Sequence, residues 1–328
     1  MQSFAYGRAA TAAAARGAVK SDPNAAFLAG GTSIIDLTKV GSAAPSALID
    51  INDLPLGRIE TLAGGRLRIG ALARMNQVAD DPTVGRAAPA VTQALALSAS
   101  PQLRNMASIG GNIMQRTRCV YFRDVATPCN KRVPGSGCTA IDGDNRRHAL
   151  LGASPDCICT HPSDFAVAML LTDATIHVAS DAGERAIEFD DFHRLPGSTP
   201  WRDTNLAHGD LITAVSFVPS ALTQRSAYLK IRDRASFEFA LVSVAAGLEI
   251  VGGTIRGARL GLGGVAPVPW RSLAAERALT DRPATDTSYA AAADAALADA
   301  RPQRLNAFKI ALTKRAIVRA LRAAQGAA

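Results

Sequence analysis

All five cysteines of this chain fall between positions 119 and 159: Cys119, Cys129 and Cys138 in RCVYFRDVATPCNKRVPGSGC (118–138), Cys157 and Cys159 in DCICTH (156–161). Thiols gathered in this way can pair as disulfides, ligate zinc or hold an iron–sulfur cluster. Disulfides need an oxidising compartment, and an odd count leaves one thiol over. Structural zinc normally uses tight C-x₂₋₄-C knuckles, whereas only Cys157 and Cys159 lie close in sequence. A cubane cluster needs four thiolates converging from an irregular loop and tolerates varied spacing. The neighbouring Arg116, Arg118, Arg123, Lys131, Arg132, Arg146 and Arg147 suit a net-negative centre of that kind. The plain alternative is a solvated basic loop with inert buried thiols.

A second chemistry is written in glycine. AAFLAGGTSIIDLTKV (25–40) runs from an apolar strand pattern, through Gly30-Gly31-Thr32-Ser33, into a helix with one apolar face. Backbone N–H groups in such a strand-to-helix turn can face an anion, and glycine lets the backbone approach a pyrophosphate. The turn is neither G-x-G-x-x-G nor a P-loop. A purely structural turn uses glycine for the same conformational reason. ASIGGNI (107–113) supplies a second turn, with Ser108 and Asn112 beside Gly110 and Gly111. Two such turns are what a two-walled cleft for a long phosphate-bearing cofactor needs.

The elements that must position these groups follow in order. A short strand and an alanine-rich helix open the chain, SALIDINDL (46–54) reads as a strand, and LRIGALARMNQVADD (67–81) as a strand leading into a helix. A helix precedes a break at Pro101. The segment between Asn112 and His161, roughly fifty residues, has little periodicity, which inside a compact domain marks a functional or disordered loop. Ordering it costs entropy that a cross-linking metal centre would offset. HPSDFAVAMLLTDATIHVAS (161–180) reads as a capped helix and a strand, and DLITAVSFVP (210–219) alternates like a half-buried strand. From 228 to 270 the pattern is three antiparallel strands, with Gly252-Gly253 closing a hairpin. The remainder is helical, and a boundary falls near residue 222.

In combination, AGGTSIIDL, SIGGNIM, HPSD, Y-x-K-x-R-x-R and GLGGVAPVPWR resemble the flavin-binding subunit of xanthine dehydrogenase-type molybdenum hydroxylases. The resemblance covers nearly the whole chain. It implies an α+β, two-subdomain FAD-binding fold of the PCMH or vanillyl-alcohol oxidase type, followed by a C-terminal domain of a three-stranded antiparallel sheet plus helices. The corresponding domains are 1–56, 57–222 with an inserted loop at about 115–160, and 223–328. It implies noncovalent FAD, with Phe27, Leu28, Ala29, Gly30, Gly31, Thr32, Ser33 and Ile34 wrapping the pyrophosphate. Ser108, Gly111 and Asn112 would grip from the other side, with Ile212 among the cofactor contacts, Asp164 near the polyol and Lys230 near the ring. Taken singly, Asp164 is also a favourable carboxylate in a helix first turn, and Lys230 a solvated strand residue.

Most members of that family lack the inserted loop. R-T-R-C, P-C-N-K-R, P-G-S-G-C and C-I-x-T-H-P-S-D resemble a branch with a [4Fe-4S] cluster, the bacterial three-subunit periplasmic aldehyde oxidoreductases that use molybdopterin cytosine dinucleotide. That resemblance implies Cys119, Cys129, Cys138 and Cys157 as ligands and leaves Cys159 as a spare. It also implies a relay, in which electrons from a large molybdopterin-binding subunit pass a small subunit with two [2Fe-2S] clusters, reach FAD here, and leave for an external acceptor.

The chain has no room for a pterin site and no compact four-cysteine [2Fe-2S] pattern. Its formal charge of +8 suggests a nucleic-acid-binding module, but the basic residues are dispersed and aromatics scarce. A stand-alone flavin oxidase would need its own substrate pocket and commonly a larger cap. No apolar run is long enough to span a membrane. No export signal is recognisable, so periplasmic location would require co-export with a signal-bearing partner; the alternative is cytoplasmic.

Overall fold

In a computed structural model, which describes residues 2–326, the chain builds three sheets in sequence order. The first is parallel. Strands β1 (Ala5–Arg8), β2 (Ala26–Leu28) and β3 (Ala47–Asp50) lie in the order β1-β3-β2. Each parallel crossover needs a covering helix, here Ala12–Lys20 and Ile34–Lys39. Thr11 begins the first by accepting a hydrogen bond from Ala14 N at 3.1 Å, satisfying an otherwise orphaned donor. Ala15 and Val19, four apart, form its buried face.

The second sheet is antiparallel, in the order β4 (Ile59–Thr61), β5 (Leu67–Gly70), β8 (Leu211–Phe217), β6 (Thr175–Ser180), β7 (Gly183–Glu188). Its β8 corrects a sequence expectation. LITAVSF alternates like a half-buried strand, yet every residue is buried, because β8 is the central strand. Its polar side chains are satisfied internally: Ser216 Oγ pairs with His177 Nε2 at 2.8 Å, and Thr213 Oγ1 donates to the His177 carbonyl at 3.3 Å. Helices Met75–Asp80, Pro89–Leu97 and Asp164–Met169 share the core of this domain.

The third sheet runs β12 (Trp270–Arg271), β11 (Thr254–Gly263), β10 (Val242–Val251), β9 (Ser226–Ile231). The hairpin turns at Gly252 and Gly253, whose φ values of 57° and 79° fit a tight two-residue turn. The sheet has four strands rather than the three expected. The fourth is two residues long, too short to leave a periodic signal. Helices Leu273–Leu279, Asp286–Ala296 and Phe308–Gln325 complete this domain. Among the described residues no helix is long and apolar enough to cross a membrane.

The cysteine-bearing loop is inserted between β5 and β6 of the second sheet, and its helical content is one turn at Val120–Arg123. Its tail is built into the C-terminal domain. Leu150 and Leu151 belong to that domain's core, and both their amides donate to Val265 O, at 2.8 and 3.0 Å. Lys309, fully buried, donates to the carbonyl of His148 at 2.9 Å and to that of Gly264. Asn306 Nδ2 adds bonds to His148 O and Ala149 O at 3.1 and 3.2 Å. Tertiary contacts therefore share the cost of ordering a segment with almost no regular structure.

Candidate functional site

A cleft of about 1270 Å³ opens between the first domain, the second domain and the tip of the third. It is larger than the roughly 300–1,000 Å³ that suits a single drug-sized ligand. Of the expected cofactor residues, Phe27, Ala29, Gly30, Gly31, Thr32, Ser33, Ile34, Ser108, Gly111, Asn112, Asp164, Ile212 and Lys230 all line it. Leu28 does not; it stands within β2, paired with Asp50.

Gly30 shows why glycine is required. A Cβ there would lie 1.9 Å from the Met106 carbonyl oxygen, so the two walls meet at a point where no side chain fits. Arg74 ties the walls together beneath, donating to Met106 O and to Asn52 Oδ1, both at 2.8 Å. Asn52 in turn donates to Ala29 O at 3.0 Å.

The two turns are not chemically equivalent. Among the described residues, the N–H groups of Gly30, Gly31, Thr32 and Ser33 donate to no protein acceptor, leaving a concave set of free donors at the head of the helix Ile34–Lys39. Such a nest favours an anion. In the second turn the donors are already used. Gly110 N donates to Ala71 O at 2.8 Å, Ile109 N to Ala73 O at 3.0 Å and Gly111 N to Ser108 Oγ at 3.2 Å. Asn112 Oδ1 accepts from Ser163 Oγ and, at 3.2 Å, from Gln115 Nε2. The second wall thus offers shape and the Ser108 hydroxyl rather than an amide nest.

Deeper in, Asp164 is a hub. Ser163 caps its helix, accepting from Ala166 N at 2.9 Å. The carboxylate accepts from Tyr228 Oη at 2.6 Å, Lys230 Nζ at 2.7 Å and Ser98 Oγ at 2.9 Å. Burial and the facing carboxylate both push the Tyr228 hydroxyl well above the usual phenol range. Tyr228 therefore stays protonated and acts as a donor.

The five thiols line a second, smaller cavity together with Thr117, Lys131 and Asp156. Backbone pairing brings them there. Cys129 and Cys138 face each other across an isolated antiparallel bridge, and Cys157 closes a tight turn with Ser154. Cys119 Sγ lies 3.2 Å from His148 Nε2. Burial pushes the Cys119 thiol up to about 12, although the amides of Phe122 and Tyr121 pull the other way. Burial also raises Cys138, against amides of Ile158, Ala140 and Ile141. Cys159, hydrogen-bonded by Cys157 and facing Lys131, is lowered instead. Lys131 Nζ reaches Pro200 O at 2.7 Å and pairs with Asp203, which Arg116 holds from the other side at 2.6 Å. Burial works against the Asp203 charge, but Arg116 and Lys131 outweigh it and keep the carboxyl below its ordinary range.

Among the described residues, no three Cys, His, Asp or Glu side chains converge as a metal-ion site. The five thiols instead line one small cavity of about 10 Å³. Sequence reading missed several supporting groups: Asp36, Arg74, Ser98 and Asp203. Each acts on a partner far away in sequence, and only Asp36 falls within a motif, AGGTSIIDL, in which nothing marks its role.

Comparisons with known proteins agree over the whole chain. Residues 2–221 match the family described as the FAD binding domain in molybdopterin dehydrogenase, and residues 227–324 the CO dehydrogenase flavoprotein C-terminal domain. The chain is 45% identical to the aldehyde oxidoreductase FAD-binding subunit PaoB of Escherichia coli (strain K12), covering 100% of both. It is 29% identical to that organism's putative xanthine dehydrogenase FAD-binding subunit XdhB, over 98% of this chain and 97% of the relative. Among solved structures, a chain of carbon monoxide dehydrogenase from Hydrogenophaga pseudoflava superposes with a TM-score of 0.78 at 26% identity, covering 99% of this chain and 98% of that one.

Proposed function

The chain belongs to the FAD-binding medium subunits of the xanthine dehydrogenase family, in which the catalytic site is on another chain, and we propose that it serves a heterotrimeric molybdenum aldehyde oxidoreductase. The observation that carries this reading is the full-length 45% identity to an aldehyde oxidoreductase subunit. The partners are a large molybdopterin-binding subunit and a small subunit with two [2Fe-2S] clusters.

The cleft fits FAD. A Cβ-free cradle at Gly30 and four unused N–H donors at Gly30–Ser33 suit a pyrophosphate. When bound, the flavin supplies the chemistry of receiving electrons singly and discharging them to an external acceptor. The protein's own part is position and charge. The turn would hold the diphosphate and Ser108 the opposite wall. Asp164, fixed by Ser98, Tyr228 and Lys230, would present a carboxylate that cannot rotate. Lys230 would keep a cation beside the ring end of the cleft.

The donor set suits a cluster in its chemistry, with five thiols lining one cavity and backbone amides facing two of them, but that cavity is about 10 Å³, the size of a single water, and the sulfurs would have to move apart to admit one. Cys119, Cys129, Cys138 and Cys157 would hold a [4Fe-4S] cluster, which supplies one-electron chemistry. Lys131 would offset its negative charge. The same reading extends to co-export into the periplasm with a signal-bearing partner.

The test is the visible spectrum with the flavin, iron and zinc content of the anaerobically purified complex. One FAD and about four irons per copy of this chain, beyond the irons of the small subunit, are expected. Zinc without flavin would refute the proposal.

A further inference from the structure

Asp36 stands on the helix Ile34–Lys39, directly after the turn whose amides are free. Its carboxylate is gripped by two guanidiniums, both from the cysteine-bearing loop. Arg123 binds it twice, Nη1 to Oδ2 at 2.6 Å and Nη2 to Oδ1 at 2.9 Å. Arg118, the residue before Cys119, donates to Oδ2 at 2.9 Å and reaches Ser33 Oγ at 3.4 Å with its other nitrogen. Charge-assisted, partly two-pronged contacts of this kind are the stronger class of hydrogen bond and fix orientation as well.

The packing below the ion pairs repeats the same connection. Leu37, the next residue, is buried against Phe122 and Cys129, with Cys119 and Ala43 at the rim. Ser42 Oγ donates to the carbonyls of Phe122 and Arg123 at 3.0 and 3.1 Å. The helix has six residues, too few to hold its shape without tertiary contacts. Its capping residue Ser33 makes no side-chain cap bond. Much of what steadies it therefore comes from a loop that begins some eighty residues later in the chain.

We infer that Asp36 is a positioning residue that couples the cysteine-bearing loop to the flavin turn, so that FAD affinity depends on the Asp36–Arg123–Arg118 clamp. The inference rests on the flavin reading, and it adds a physical link between the two centres. If the clamp opens, the Gly30–Ser33 turn loses its fixed shape and the flavin site loosens.

The experiment is a double-mutant cycle on the full chain in its complex, with Asp36→Asn, Arg123→Ala and the combination. Two readouts are taken: the FAD dissociation constant after flavin removal, and amide hydrogen exchange of residues 30–37 in the flavin-free protein. Each single variant is expected to weaken FAD binding at least tenfold and speed exchange by a similar factor, with the double variant no worse than the weaker single one. Losses that simply add, or exchange unchanged from wild type, would overturn the inference. Should Asp36→Asn fail to fold, Arg123→Lys takes its place in a graded series with Arg123→Ala, keeping the charge but not the two-pronged grip. A wild type that bound no FAD would defeat the cofactor reading, and the exchange measurement would still decide the coupling.

Discussion

Lys230 Nζ and Asp164 Oδ2 meet at 2.7 Å with side chains only 1% and 5% exposed, an ion pair withdrawn from water inside the cleft. Breaking such a pair costs more than the pair itself contributes, because one charge is left buried alone. Asp164→Ala and Lys230→Met should each destabilise the chain by about 3–5 kcal/mol, while the double variant costs clearly less than their sum. Chemical denaturation of the three variants checks this, with flavin content measured alongside.

Glycine substitutions should act in opposite directions at two positions. Gly30→Ala places its methyl 1.9 Å from Met106 O and must push the walls apart, so flavin occupancy should fall severalfold or more. Gly17, on the exposed side of the first helix, has open space where its Cβ would go. Gly17→Ala should stabilise by about 0.5–1 kcal/mol through lower unfolded-state entropy, read as a raised Tm.

The spare thiol has its own prediction. On the proposed cluster reading, Cys159→Ala should leave iron content per chain at the wild-type level, whereas alanine at Cys119, Cys129, Cys138 or Cys157 should remove the visible absorption of a [4Fe-4S] centre. Iron loss with Cys159→Ala and retention with Cys157→Ala would reassign the fourth ligand. The choice between the two is sharp because they stand two residues apart in one cavity.

Acid should weaken the fold from about pH 6.5 downward. His193 is buried among Phe189, Phe192 and His161, its Nε2 3.1 Å from Ile113 O, and burial lowers its pKa to about 4. The unfolded chain takes up this proton near pH 6.5, the folded chain only near pH 4. The stabilising contribution is thus complete above pH 6.5 and is lost as pH falls through that window, on the order of 2–3 kcal/mol. His193→Gln should reduce the dependence of unfolding free energy on pH between those limits, leaving the share of His148 and His161, which burial lowers likewise.

What the sequence disclosed was local. The Gly30-Gly31 turn, the Ser163 cap and the Gly252-Gly253 hairpin each depend on a few adjacent residues, and each can be read from them. Partners brought together from afar could not be read: Asp36 with Arg118, Asp164 with Tyr228, Lys131 with Asp203. Nothing in IIDLTKV distinguishes Asp36 from a solvated helix residue. LITAVSF misled for a related reason, since alternation shows which side chains are polar but not that His177 would satisfy them. The crowding of cysteines marked the loop because thiols are rare enough for their clustering to carry information.

The grip of Lys309 on His148 bridges 161 positions, and this has a consequence for biogenesis. As the chain leaves the ribosome, the first sheet can close early, and the second once β8 has emerged. The cysteine-bearing loop will have emerged well before either Asn306 or Lys309. The tail of that loop therefore waits for these supports until the last helix is made. A truncation within the final helix would open the C-terminal core, where Ala316, Ile317, Ala320 and Leu321 are buried, and with it the support under the tail of a loop inserted far upstream.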